Sequence, residues 1–438
     1  MSAIHELTSI APLQEFSIFE VPATQVSVNR TYDVEYFPLA PVTANTPIEF
    51  QIRSSEYHYT CPSEIYLKLD LTLGLVSNTD MRTEAAQGIY AQHTFQPIQN
   101  LLNSLFKNVE ITVGGKIFRL QPLMHAYRSY IEVMMGYDSR AKSTHLSLSG
   151  WTTEAERRTM FHPPAGSTTF KTVTLIGRIF SDITHQAKSL LGGMKIDIKL
   201  DPNDPSFYTI HSSNQHTASA KFENVSLLVK FQEATEHLRN AHNLALSKAT
   251  AKIPITNVDL RHYTLARGAN DAIISNAIQG TVPRRTIVFF VNNSALNGAK
   301  GENPFKFEHK EVKSLHCEMD GMNYPTVPYK TDFARNQYHL LYLSMFRYMN
   351  QNVPEPYYEQ TYADFKNFPM WIIQFCPDLS SQCGFGGHVS PIHTNQHITL
   401  KVEFGTPLDQ VTTVILFNEY DDIIEYDRER NAVASIHG

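Results

Sequence analysis

The feature that most constrains this chain is a pattern that occurs twice, 206 residues apart (Val109 against Leu315). In the first occurrence Val109-Glu-Ile-Thr-Val113 alternates apolar and polar residues, the period of a strand with one buried face. Gly114-Gly115 follows, a pair free to take positive φ in a tight turn. Lys116-Ile-Phe118 starts the return strand, and Pro122 closes it. In the second occurrence Leu315, Cys317 and Met319 take the alternating positions, Gly321 the turn, Tyr324 the aromatic position and Pro328 the closing proline. Solenoid repeats run at roughly 20–50 residues, so a period this long signals two copies of a whole domain.

Helical periodicity follows each copy. Leu123, Tyr127, Tyr130, Ile131 and Met134 share one helix face, with Gly136 placed to stop the helix at C′. Phe333, Tyr338, Leu341, Tyr342 and Met345 suit one face after the second copy. Length agrees with duplication: 438 residues exceed the roughly 250–300 that one core serves.

The rest of each copy is a series of short alternating strands. Residues 46–76 read as a strand pair, with Ile65, Leu67, Leu69, Leu71 and Leu73 on one buried face. Further strands are expected at 172–180, at 194–200 after the Gly192-Gly193 turn, and at 225–231. In the second copy they are expected at 285–291, 370–375, 398–404 and 414–417, where 398–404 matches 194–200 and 414–417 matches 227–231. Many such strands between glycine turns indicate antiparallel sandwiches, and a jelly roll is one of eight strands in two sheets. The expected organisation is an N-terminal extended arm over 1–45, a first sandwich over 46–235, a helical connector over 236–252, a second sandwich over 253–418 and a C-terminal tail over 419–438. The arm holds prolines at 12, 22, 38 and 41, and the tail opens on an acidic stretch from Glu419 to Glu429, read as solvated.

Few residues form a chemical constellation. His393 and His397 with Glu403 are the best metal candidate, but HxxxH serves zinc on helices and these histidines precede a strand pattern. No metal site is therefore expected. Asp421-Asp422 with Glu425 reads as part of the solvated stretch rather than a cation site. Gly384-Phe-Gly-Gly387 lacks both the GxGxxG frame and a following helix. Arg157-Arg158 and Arg284-Arg285 are isolated pairs, suited to salt bridges. With a net charge of −6 and no run of Lys and Arg, no sequence-specific nucleic-acid binding is expected. Cysteines 61, 317, 376 and 383 form no CxxC and read as free buried thiols. No secretory signal or membrane-spanning run is visible, so the Asn292-Asn-Ser294 sequon reads as a chance match. Catalytic residues, cofactors and metals are all expected to be absent, and the protein is not expected to be an enzyme.

Order and spacing of these motifs resemble a known family. Pro97-Ile-Gln-Asn-Leu-Leu-Asn-Ser-Leu-Phe106 runs into Val109-Glu-Ile-Thr-Val-Gly-Gly-Lys116, and then come Tyr127-Arg-Ser-Tyr-Ile-Glu132 and the stretch from Gly136 to Trp151 with Ala141-Lys142 inside. Together with Ser54-Ser-Glu-Tyr57, they are similar to the major capsid proteins of Polinton (Maverick) elements and their adintovirus relatives, and more distantly to those of virophages and adenoviruses. The resemblance covers most of 45–235, 284–345 more loosely and the tail weakly. It implies an all-β fold, a tandem double jelly roll of two eight-stranded antiparallel sandwiches with short helical insertions. It further implies a structural protein of the virion whose homotrimer is a pseudo-hexameric capsomer in an icosahedral shell. Neighbouring capsomers and penton or minor capsid proteins would be its partners. The rival readings are a carbohydrate-binding tandem sandwich, which calls for exposed tryptophans or paired carboxylates, and a cupin-like metalloprotein.

Overall fold

The computed structural model describes residues 14–77 except 17 and 20, then 95–161, 171–211, 216–296, 298–349, 360–377 and 396–434, with 353, 356, 358 and 394 as single positions. Each half of the chain folds eight strands into two four-stranded antiparallel sheets. In the first half these strands are β1 (Val28–Tyr36), β2 (Ile48–Arg53), β3 (His58–Ser77), β4 (Phe106–Val113), β5 (Lys116–Phe118), β6 (Thr172–Arg178), β7 (Lys195–Pro202) and β8 (His216–Ala234). Their sheets run β1-β8-β3-β6 and β2-β7-β4-β5. In the second half they are β9 (Ala251–Leu265), β10 (Asp271–Gly280), β11 (Arg285–Asn292), β12 (Val312–Met319), β13 (Met322–Lys330), β14 (Trp371–Gln374), β15 (Gln396–Phe404) and β16 (Thr412–Tyr426). The sheets of this half run β9-β16-β11-β14 and β10-β15-β12-β13. Adding eight to each strand of the first half reproduces the order of the second. Outside this scheme Phe95–Pro97 pairs with Thr209–His211, and Ala432–Ala434 adds to β16.

Alternation drives the sandwiches together. Ile48, Phe50 and Ile52 of β2, Ile196, Ile198 and Leu200 of β7, and Val109, Ile111 and Val113 of β4 point inward from one sheet. Ile65, Leu67, Leu69, Leu71 and Leu73 of β3 meet them from the other, none more than 2% exposed. Burying such a side chain is worth roughly 1.5–3 kcal/mol, so each sandwich is held mainly by these inner faces.

The repeated hairpin has the same geometry twice. Val113 pairs with Lys116 across Gly114 (φ 54°) and Gly115 (φ 84°), and Met319 pairs with Met322 across Asp320 (φ 52°) and Gly321 (φ 76°). Positive φ at both central residues is the two-residue turn whose twist suits antiparallel strands. Asp can take the first such position because its short side chain tolerates the left-handed region.

Helix α1 (Met124–Gly136) sits between β5 and β6, and helix α3 (His339–Tyr348) sits at the same place in the second half, between β13 and β14. Helix α2 (Glu236–Leu246) lies between β8 and β9.

Four expectations change. Residues 1–45 are not all arm, because β1 pairs with β8, and Tyr32, Val34 and Tyr36 are half-buried at its edge. The stretch from 419 is not a solvated tail: β16 is an inner strand between β9 and β11, and Glu419, Asp421 and Asp422 are buried. Arg284 and Arg285, on and beside the neighbouring strand, supply the countercharge that makes this burial tolerable, with Arg284 Nη2 to Glu419 Oε2 at 2.8 Å and Arg284 Nη1 to Asp421 Oδ1 at 3.1 Å. The strands in 46–76 are not a pair, since β2 and β3 lie in opposite sheets. Gly136 is the last helical residue, followed by Tyr137 in extended conformation, so the helix ends without a left-handed glycine.

Candidate functional site

The residues with the most developed environment lie where the two sandwiches meet. Helix α1 forms the first side of this seam. It starts abruptly because Leu123 adopts φ 71° and donates its N–H to the Lys107 carbonyl at 2.8 Å. The helix then carries Tyr127 and Tyr130 toward the second sandwich, while Arg128 turns to Glu132 and Asp182 of the first half.

Tyr130 stacks between two aromatic rings. Phe305 lies 4.2 Å away with the planes 9° apart, and Trp151 lies 5.4 Å away at 17°. Tyr127 meets Phe305 edge-on at 5.5 Å, and Phe307 continues the cluster to Phe289 at 4.8 Å and Phe368 at 5.3 Å. The chain segment between β11 and β12 supplies Phe305 and Phe307, so this is contact between halves. Each such pair adds about 0.5–1.5 kcal/mol beyond the area it buries. Trp151 Nε1 donates to Asn100 Oδ1 at 3.3 Å, and Asn100 Nδ2 donates to Ser129 Oγ at 2.8 Å, which fixes the tryptophan against the helix.

A charged cluster lies on the same side. Arg128, 3% exposed at its side chain, reaches Asp182 Oδ1 at 2.7 Å and Glu132 Oε1 at 2.8 Å. Burial disfavours its charge, yet the carboxylates of Asp182 and Glu132 outweigh burial and hold the guanidinium above its ordinary value. Asp182 also accepts the backbone N–H of Val258 in β9, at 3.2 Å. This ties the ionic cluster of the first sandwich to a strand of the second. His125, beside Arg128, is pushed down to about 3 by burial and then by that cation, so it is neutral.

Between the halves opens a cleft of about 910 Å³, lined among others by Arg119, Gln121, Asp259, Arg261 and Tyr420. Asp259 is the one carboxylate among its described lining residues, and Arg261 Nε occupies it at 2.7 Å.

The candidates from sequence are dispersed. His393 lies outside the described residues. His397 and Glu403 point outward from β15, six residues apart, which is roughly 20 Å along a strand, and Glu403 is paired with Lys313 at 2.5 Å. That separation prevents the two from sharing one ion. Among the described residues no three His, Cys, Asp or Glu side chains converge as a metal site. Cys61, Cys317 and Cys376 are buried; Cys383 and Gly384 to Gly387 lie outside the described residues. Trp151 and Trp371 are 3% and 0% exposed, so neither offers a platform to a sugar. Arg157 donates to Thr152 O at 2.7 Å and Arg158 to Glu154 Oε1 at 2.6 Å, both within the first half.

Sequence reasoning missed the seam itself. Tyr130 and Phe305 are 175 positions apart, and no local period links them. The one available signal was Phe305 and Phe307 in a segment otherwise rich in Gly and Asn.

No family model matches the chain. An uncharacterized protein of Caenorhabditis elegans is 24% identical over 318 residues, covering 69% of this chain and 73% of that one. Among solved structures, a chain of the Sputnik virophage covers 99% of this chain, with 94% of its own length matched, at 12% identity and a TM-score of 0.59. The mavirus major capsid protein matches over 99% of this chain and 96% of its own, at 11% identity and a TM-score of 0.53. The fold is a double jelly roll. A chain of the PBCV-1 virus capsid shares it at 9% identity and a TM-score of 0.58, over 95% of this chain and 99% of that one. The matches thus span nearly the whole of this chain and of each neighbour, so the shared fold takes in both barrels.

Proposed function

We propose that this protein is a major capsid protein, the repeating tile of an icosahedral viral shell. The observation that carries the reading is the seam. Two barrels of identical strand order are locked into one unit by stacked aromatic rings and a buried ionic cluster. Three such units supply six similar barrels, which is what a three-fold capsomer needs to tile positions of near six-fold symmetry. The solved structures that share the fold come from a virophage, a viral capsid and a major capsid protein, which supports the same reading.

In this reading the chain acts by assembly and not by catalysis. Its first partner is itself, as a homotrimer, and then adjoining capsomers with penton or minor capsid proteins at the remaining positions. Its place is the virion shell. The motif order from Pro97 to Trp151 supports the finer assignment to the Polinton and adintovirus group. Native mass measurement of the purified chain, followed by electron microscopy, tests the proposal. Trimers of pseudo-hexagonal outline, or closed shells, are the expected result. A chain that stays monomeric at micromolar concentration and forms no particles would overturn it.

A further inference from the structure

A smaller pocket, of about 450 Å³, lies within the first half, between β6 and the turn His145–Ser149. Gly177 seats the turn against the strand: a Cβ there would stand 2.7 Å from Ser149 Cβ, so the close approach needs glycine. Strand β6 is the edge of its sheet, paired with β3. That pairing sets Arg178 opposite Tyr66, so the two side chains share one face. The walls are largely apolar, with Tyr66, Tyr137, Leu146, Leu148 and Phe180 among them. Phe180 is buried, and Tyr137 and Leu146 pack against its small cluster, which is separate from the main core. Pockets of roughly 300–1,000 Å³ with apolar walls and few polar groups are the usual form of a small-molecule site.

Arg178 gives the pocket its charge. Its Nη2 donates to the Thr184 carbonyl at 2.8 Å, and its buried Nε meets no acceptor among the described residues. Arg128 and Arg284, buried in the two halves, each hold two carboxylates. Arg178 makes no ion pair among the described residues, and the described lining of the pocket holds no carboxylate. Two carboxylates of the same region are engaged elsewhere. Glu64 accepts the Tyr66 hydroxyl at 3.2 Å and faces Lys230 at 3.7 Å, and Glu132 holds Arg128 at 2.8 Å. A buried donor left without an acceptor is costly, and the guanidinium is the side chain best shaped to receive a carboxylate. We propose that this pocket binds a small monocarboxylate with an apolar body, its carboxylate on Arg178 and its body against Tyr66, Tyr137 and Phe180. Leu148, 55% exposed, stands on the solvent side of the site. The proposal does not depend on the capsid reading, since every group it uses belongs to one chain.

Calorimetric titration of the full chain with octanoate and with octan-1-ol tests it, since the two probes share an apolar body and differ in the carboxylate. Saturable binding of octanoate is expected, with octan-1-ol at least tenfold weaker. Arg178→Gln should weaken octanoate at least tenfold and leave octan-1-ol within about twofold of wild type. No saturable binding of octanoate at millimolar concentration overturns the proposal. Octanoate and octan-1-ol binding alike, or Arg178→Gln binding octanoate as wild type does, overturns it too. Leu148→Trp covers the case in which Arg178→Gln misfolds. It keeps Arg178, changes an exposed side chain and narrows the site, so both probes should weaken while circular dichroism stays unchanged. Octanoate binding that is unaffected by Leu148→Trp would place the ligand elsewhere and overturn the assignment.

Discussion

The carbonyl oxygen of Gly114 accepts the backbone N–H of Ala432 at 2.8 Å, so the hairpin of the first barrel is fastened to the segment that leaves the last strand of the second. Arg430 adds to this fastening by donating Nε to the Gly192 carbonyl at 2.9 Å. The contact is close enough that a Cβ at Gly114 would collide with the Arg430 carbonyl oxygen and the Tyr426 ring. The glycine pair therefore has two separate jobs. Gly115 only has to take φ 84° in open space, whereas Gly114 must also leave room for the other end of the chain.

Substitution separates these jobs. Gly115→Val and Gly321→Val are each expected to cost roughly 1–2 kcal/mol, the strain of a side chain at positive φ. Neither adds a clash, because nothing lies within 4 Å of a Cβ at either position. Gly114→Val should cost more, since strain and collision add. Denaturant midpoints of the three variants check this. A silent Gly321→Val beside a damaging Gly115→Val would contradict the equivalence of the two hairpins.

Tyr130 is expected to be the most sensitive residue of the seam. Truncation to alanine removes the ring between Phe305 and Trp151, and aromatic-to-alanine changes in cores cost about 3–5 kcal/mol. Tyr130→Phe keeps the ring and should stay within about 1 kcal/mol. Urea unfolding followed by tryptophan fluorescence measures both, because Trp151 lies in the same stack.

What could be read from the sequence depended on how local the signal was. The leucines of β3 alternate without interruption, and the hairpin at 114–115 carries its own turn residues, so these strands, the duplication and the fold class were legible, whereas β9 and β10 were not expected. Strand β1 was missed because only Tyr32, Val34 and Tyr36 mark it, half-buried between prolines. Glu419 and Asp421 looked solvated because Arg284, their countercharge, lies some 135 residues earlier. Only the register of β11 against β16, with Arg285 opposite Glu419, brings them together. The stack of Tyr130 on Phe305 was illegible for the same reason: tertiary pairing decides it, and no period records it.

The described part of the N-terminal segment presents Phe16, Ile18 and Phe19 at 71%, 76% and 92% exposure. Apolar residues in so short a run become covered when a partner supplies the surface. If the chain builds a shell, deletion of residues 1–20 should leave the trimer folded and reduce particle formation at least tenfold. The deletion stops short of β1, so the first barrel keeps all its strands. Trimer mass and particle counts by electron microscopy check the two halves of this expectation. Undiminished particles would remove the arm from assembly.

Acid should weaken the second barrel through Glu419. Burial pushes this carboxyl up, but Arg285 and Arg284 outweigh burial and hold it below its ordinary value of 4.5. A carboxyl with a lower pKa folded than unfolded binds fewer protons in the native state. Its contribution to stability is complete above the unfolded value and is lost as pH falls through the folded one. The melting temperature of the wild type should therefore decline as pH drops below about 4.5. Glu419→Gln cannot ionise, so it loses this contribution at every pH. It should be less stable than wild type at pH 7, with the gap narrowing in acid as the wild type becomes protonated. Thermal scans of both proteins from pH 7 to pH 3 check the sign, and a gap that widens in acid would show that the two arginines do not hold Glu419 ionised.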